Sequence, residues 1–327
     1  MSRYPDSSPP REDEELDMSS AYSLASTAHD LVIEHGRRYA NYRYGSSPFP
    51  QGDKIAEQNE IDLFNLIFTV YRGRLFLAPI EEPRNVLDVR CGQGGLWVKT
   101  MADKYPEAQV SGMDVTMPET EGHPNLEFFL QNFNDEWILN EVLQAHGKFD
   151  FIFAKSIFGL SQDYSLLYQR CFENLAPGGY FEQCEFVPYP SCDDGHCREN
   201  SIVPQIACLI PDLQRTFNTN FNIGIEMKKL VEKAGFVDVE ERRTRMPWSP
   251  WPPAGTYENE VGRLFQKFYE TGLQGWLLAP LCKFYNFKPE QVNTMCEAAI
   301  IENRENDQHF HSDCITIIAR KPLDAPN

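Results

Sequence analysis

The stretch Val86-Leu87-Asp88-Val89-Arg90-Cys91-Gly92-Gln93-Gly94-Gly95 joins an apolar run to a glycine-rich turn. Glycines let a backbone approach a ligand closely, and a helix opening after the turn presents unpaired N–H groups. A second apolar run ends in Gly112-Met113-Asp114. A carboxylate at such a strand end is placed to accept both hydroxyls of a ribose. A third run ends in Gln131-Asn132-Phe133-Asn134, which offers amides for an adenine edge and an aromatic ring for its face. Two cofactor classes fit this set: a nicotinamide dinucleotide and S-adenosylmethionine. The first calls for G-x-G-x-x-G built around a pyrophosphate. Here an aspartate precedes the loop and the second half of that pattern is absent, which favours the methyl donor.

Positioning these groups takes strands that end at one edge. From Asn85 onward, short apolar runs alternate with helical patterns. NVLDV, QVSGMDV, LEFFLQN, FDFIFAK, GGYFEQCEF, VDVEERRT and SDCITIIAR read as strands. Residues 94–105, 136–146, 164–175, 226–234, 256–272 and 289–304 read as helices, with one more over 201–217. This alternation predicts a doubly wound, mostly parallel α/β sheet with helices on both faces. Its carboxyl edge is the ligand edge of open α/β folds. Before it, apolar spacing predicts a helix from about Tyr22 to Glu34, an ordered loop over 35–50, and a second helix over 53–71 with Ile61, Phe64, Ile67 and Phe68 on one side. Residues 1–19 read as a disordered acidic tail.

Composition narrows the partners. The chain has 327 residues, enough for one large domain or two. It carries 30 basic against 48 acidic residues, a net charge of −18. Such a surface repels phosphate backbones and anionic lipid, so nucleic acid is not expected as a direct partner. No run reaches the ~18 uninterrupted apolar residues of a membrane span. Nine cysteines without a regular framework, and no apolar leader in the first twenty residues, point to free thiols in a reducing compartment. Cys184, Cys192, His196 and Cys197 lack a usual zinc spacing, so no metal site is expected.

The run HGRRYANYRYGSSPFP, with LFLAPI, VLDV, MADKYPEAQVSGMDV, FDFIFAKSIFGL and ENLAPGGYFE, resembles the fungal LaeA-like class I methyltransferases, a group that includes velvet-associated regulators. The likeness runs over roughly residues 35–321. It implies a seven-stranded Rossmann-like sheet, S-adenosylmethionine as cofactor with S-adenosylhomocysteine as product, and a nuclear or cytoplasmic setting. It also implies a division into a helical cap over 20–75 and a methyltransferase domain over 76–327. That domain carries helical insertions over about 188–222 and 247–305. The acceptor is left among a secondary metabolite, a protein side chain and a carboxyl group. A protein partner, such as a second methyltransferase-like subunit or a velvet protein, fits the same likeness, as does a degenerate subunit that works by binding alone.

Carried onto this chain, Asp88 and Cys91, Gly92 and Gly94 hold the methionine end, Asp114 the ribose, and Asn132 and Phe133 the adenine. Arg90 stands where the family has glycine. Two outcomes follow: the arginine swings aside or pairs with the cofactor carboxylate, or it fills the pocket and repels the sulfonium. Tyr42, flanked by Tyr39 and Tyr44, reads as a lid residue able to make a cation–π contact, and Lys155 as a pocket-lining residue. His309 is the candidate base, with His311 beside it. Trp97 reads as core. Trp248 and Trp251 either wall an acceptor pocket or anchor their loop.

Overall fold

The computed structural model describes residues 31–35, 37–40, 63, 64, 66–69, 73–92, 94–115 and 122–325. A short hairpin opens it: β1 (Leu31–Glu34) pairs antiparallel with β2 (Arg37–Ala40). The main sheet is built from β3 (Asn85–Asp88), β4 (Gln109–Asp114), β5 (Leu126–Leu130), β6 (Phe149–Lys155), β7 (Leu175–Phe186), β8 (Val237–Pro247) and β9 (His311–Arg320). Their order is β5-β4-β3-β6-β7-β9-β8. Neighbours from β5 to β7 run parallel, and β9 lies antiparallel between β7 and β8. The order reverses beside β3, so the tips of β3, β4 and β6 flank a topological switch point.

The helices are α1 (Leu96–Lys104), α2 (Asn140–His146), α3 (Tyr164–Asn174), α4 (Ile202–Ala207), α5 (Ile210–Phe217), α6 (Ile223–Lys233), α7 (Tyr257–Tyr285) and α8 (Pro289–Arg304). Helix α3 shows why they form. Asp163 caps it by accepting from Leu166 N, and Tyr164, Leu167, Tyr168 and Cys171 bury one helical stripe. One core holds α3 and α6 against the sheet around Phe149, Ile152 and Phe181. A second packs Trp97 and Met101 of α1 against Phe151 and Phe153. A third joins α7 and α8 to Phe186, Trp248 and Cys314 at the sheet's end.

The alternation of strands and helices read from sequence is found, with four corrections. Leu31–Glu34 is a strand where the end of a helix is expected, and Arg37–Ala40 pairs with it where a loop is expected. The expected helix over 201–217 is two helices, since Pro211 has no N–H to give to Ala207 and a break at 208–209 lets it sit in a first turn. Helix α7 runs 29 residues, through Gly272 to Tyr285. Gly272 is a notch rather than a stop: a Cβ there would lie 2.2 Å from Cζ2 of Trp276. Cys192 and Cys197, expected as free thiols, form a disulfide. Of the helix expected over 53–71, residues 63–64 and 66–69 are helical, with Phe64, Ile67 and Phe68 buried. The acidic tail, Tyr42 and Tyr44 lie outside the described residues. Among those described, no helix is long and apolar enough to cross a membrane.

A buried carboxylate fixes the approach to β3. Glu182, in the middle of β7, accepts from Leu77 N at 2.6 Å and Ala78 N at 2.7 Å. Glu182→Ala leaves two donors short of a partner. Its expected cost is about 2–4 kcal/mol in urea-denaturation stability. A change below half a kcal/mol would remove Glu182 from this role.

Candidate functional site

The site is assembled at the tips of β3, β4 and β6. Asp88 ends β3 with its carboxylate fully shut off from solvent. Its Oδ2 accepts from Lys155 Nζ at 2.5 Å, and its Oδ1 accepts from Arg90 N at 3.1 Å. Burial pushes the Asp88 carboxyl up, and the neighbouring Lys155 ammonium pulls it back down. Lys155 also reaches the Arg90 carbonyl at 3.4 Å. Its ammonium lies 5.3 Å from the Phe153 ring centre and 5.6 Å from that of Trp97, two rings that stack on each other. Aromatic faces favour a cation at that range. Lys155 is therefore a buried prop for Asp88 as well as a residue of the cavity wall. Trp97 is core, as read from sequence, and donates from Nε1 to Leu75 O.

The turn then crosses to β4. Cys91 N donates to Met113 O, and Gly92 N donates to the Asp114 carboxylate at 2.9 Å. Gly92 has φ of 74° and Gly95 of 58°, a region that L side chains rarely adopt, which favours glycine at both. Gly94, between them, is buried. The Cys91 thiol is buried as well, and burial pushes its pKa far up, which leaves it inert. Gln131 N donates to Asp114 O, tying β5 to the same corner. Asn132 Oδ1 accepts from Asn134 N and Nδ2. Phe133 departs from expectation. Its side chain is buried in the main core cluster with Leu139 and Val142, where it offers little open face to a ligand.

Arg90 answers the question its position raises. Its Nη1 donates to Ser156 O at 3.1 Å, so the guanidinium is swung toward the loop after β6. There it joins the wall of a cavity of about 180 Å³. Phe158, Phe186, Trp248, Phe265 and Trp276 make much of that wall, and Lys155 and Ser156 share the Arg90 end. Trp248 thus walls the cavity and is fixed by its Nε1 donating to Ser312 Oγ. Trp251 anchors its loop instead, through Nε1 to Phe310 O.

The structure does not bring His309 to this cavity. Its Nδ1 pairs with Asp194 Oδ2 at 2.5 Å, and its ring is stacked between His196 and Trp251 at 4.4 and 4.5 Å. The His309 hydrogen bond holds the Asp194 carboxyl well below its usual range. His311 starts β9, largely buried, with Asp193 at 3.6 Å. Neither histidine lines the cavity.

Sequence reasoning missed Glu185. It is fully buried near the end of β7 and accepts from Ile157 N, Phe158 N and Gln183 Nε2. It thereby shapes the loop that carries Ser156 and Phe158 into the cavity wall. The signal was present in FEQCEF, where two glutamates and a glutamine interrupt a strand that the pattern makes central.

Burial pushes Glu185 up from an ordinary 4.5 to about 8. A carboxyl whose folded pKa is raised favours folding most where it is protonated in both states. That contribution is full below 4.5 and lost as pH rises to about 8. Wild-type stability is expected to fall across this window. Glu185→Gln, which cannot ionise, is expected to flatten the fall, as measured by urea unfolding at several pH values inside it. An unchanged slope would place the titration on another group.

Comparison with known proteins agrees with this geometry. The family described as "Methyltransferase domain" matches residues 64–241. Methyltransferase pytC of Aspergillus terreus is 29% identical over 93% of this chain and 92% of its own length. The protein-methionine methyltransferase laeA of Emericella nidulans is 29% identical over 94% of this chain and 80% of its own. Secondary metabolism regulator LAE1 of Cochliobolus heterostrophus is 30% identical over 89% of this chain and 94% of its own. The family match takes in the glycine turn, Asp114, Lys155 and Glu185, and the chain belongs to the methyltransferase domain family.

Proposed function

We propose that this chain is an S-adenosylmethionine-dependent methyltransferase with a regulatory or biosynthetic part in fungal secondary metabolism. The observation that carries the reading is the bond from Gly92 N to the Asp114 carboxylate. It makes the glycine turn and the acidic strand end one unit at the switch point of the sheet. The donor set suits the cofactor: backbone at left-handed glycines for the methionine end, a carboxylate for a ribose, and the Asn132 amide for a base edge. The names of the relatives supply the biological setting.

When bound, S-adenosylmethionine supplies a methyl group already activated on a sulfonium sulfur. The protein's work is alignment and exclusion of water. Asp88 and Lys155 fix each other under the turn and so fix the turn itself. Cys91, Gly92 and Gly94 present backbone to the methionine end, and Asp114 takes the ribose. Arg90, drawn toward Ser156, leaves the turn approachable and puts a cation at the cavity wall. The aromatic wall excludes water from the space beside it.

Asp114→Asn keeps an acceptor for Gly92 N but loses the charge-assisted bonds to a ribose. Calorimetric titration with S-adenosylhomocysteine is expected to show wild-type binding and an affinity lower by about 1.5–3 kcal/mol in the variant. No heat from folded wild-type protein freed of copurified cofactor would overturn the proposal.

A further inference from the structure

We infer that the cavity beside Arg90 is the methyl-acceptor site and takes an apolar carboxylic acid built on one or two fused rings; this rests on the methyltransferase reading above. Size sets the ring count. The cavity holds about 180 Å³, somewhat more than the ~150 Å³ of an apolar cavity that accepts benzene. Its wall sets the body of the ligand. Aromatic side chains from several elements converge there: Phe158 from the loop after β6, Phe186 from β7, Trp248 from the loop after β8, and Phe265, Tyr269 and Trp276 from α7. A flat, apolar molecule gains most from such a lining.

The polar end sets the reactive group. Lys155, one of the two cations that the described residues place in the wall, is committed to Asp88. Arg90 gives its Nη1 to a neutral carbonyl. Ser156 Oγ is buried with no hydrogen-bond partner among the described residues. A cation and an unpaired hydroxyl at the end of an apolar space are costly unless an anion meets them. A carboxylate accepts from both, and a guanidinium suits it by shape.

Among the described residues the wall also lacks a base: no aspartate, glutamate or histidine of theirs lines the cavity, and burial holds the Tyr269 hydroxyl protonated. A phenol or an amine would have to lose a proton to some group. A carboxylic acid arrives ionised. One carboxylate oxygen takes the methyl group, the carbon–sulfur bond of the sulfonium donor breaks with its electron pair left on sulfur, and no proton moves. The products are a methyl ester and the neutral thioether.

The test uses the full chain saturated with S-adenosylhomocysteine. It is titrated with 2-naphthoic acid and, separately, with its neutral amide. Binding is followed by tryptophan fluorescence, to which Trp248 and Trp276 in the wall respond, and by calorimetry. The acid is expected to bind about tenfold or more tightly than the amide, as one charge-assisted bond requires. Arg90→Gln is expected to erase that preference and leave the amide affinity unchanged, and Arg90→Lys to restore part of it. Ala207→Phe, which fills the cavity, is expected to weaken both ligands, with circular dichroism confirming its fold. Equal binding of acid and amide would overturn the inference. So would a preference that survives Arg90→Gln, or no binding of either ligand to the folded, loaded protein. Competition between the acid and S-adenosylhomocysteine would also overturn it, by giving Arg90 to the cofactor. If S-adenosylhomocysteine itself does not bind, the methyltransferase reading fails separately, and the acid-over-amide preference of the cofactor-free chain still decides what the cavity takes.

Discussion

A lysine ammonium and an aspartate carboxylate meet 2.5 Å apart where both side chains are buried. Removing both charges from water is expensive, and the attraction between them offsets that cost only when the geometry is good. The rest of the site follows from this constraint. Lys155 ends β6 and Asp88 ends β3, so the pair locks together the tips of two neighbouring parallel strands. Asp88 also takes the N–H of Arg90, and Lys155 reaches its carbonyl, which sets where the glycine turn begins. The stacked rings of Trp97 and Phe153 close one side of the ammonium. Such a pair gives little net stability, but an arrangement lacking either partner is strongly penalised, so it specifies a single conformation of the turn.

Strand β7 applies the same device twice more. Glu182 fastens the segment that leads into β3, and Glu185 fastens the loop that leaves β6. Both are acceptors for backbone N–H groups that would otherwise be buried without partners. The two glutamates lie on a strand that is buried almost throughout its second half. They hold the chain at two points, one in the segment that leads into β3 and one beside the cavity.

Much of this was legible before the fold was seen, and the boundary is physical. Strand–helix alternation, the glycine turn and Asp114 are local patterns, and they survive because the sheet amplifies local preference. The failures occur where distant groups decide. The helical pattern reads as ending at Gly272, but Trp276 folds back over that glycine and α7 continues to Tyr285. Phe133 has the right type and place for a ring-binding surface, but the core claims it. Leu31–Glu34 has helical spacing, and a partner strand overrides it. His309 is near the correct edge in sequence terms, yet Asp194, His196 and Trp251 hold it elsewhere. Lys155 and Trp248 were legible as pocket residues, but the cavity as a whole was not, since its wall combines residues as far apart as Phe64 and Leu277. Glu185 alone left a usable trace, as charge in the middle of an apolar strand.

The placement of α7 and α8 between the last two strands divides the chain's labour by position. The turn, Asp114 and Asn132 fall within residues 88–132, while α7 enters the fold far downstream, packed on β8 and on α8. Substitutions along α7 can therefore reshape the cavity without passing through the segment that forms the glycine turn. Two chains of this build can share one edge nearly unchanged and diverge in what they admit beside it. Gly272 concentrates that freedom in one place, because any side chain larger than hydrogen there must displace Trp276 from the wall.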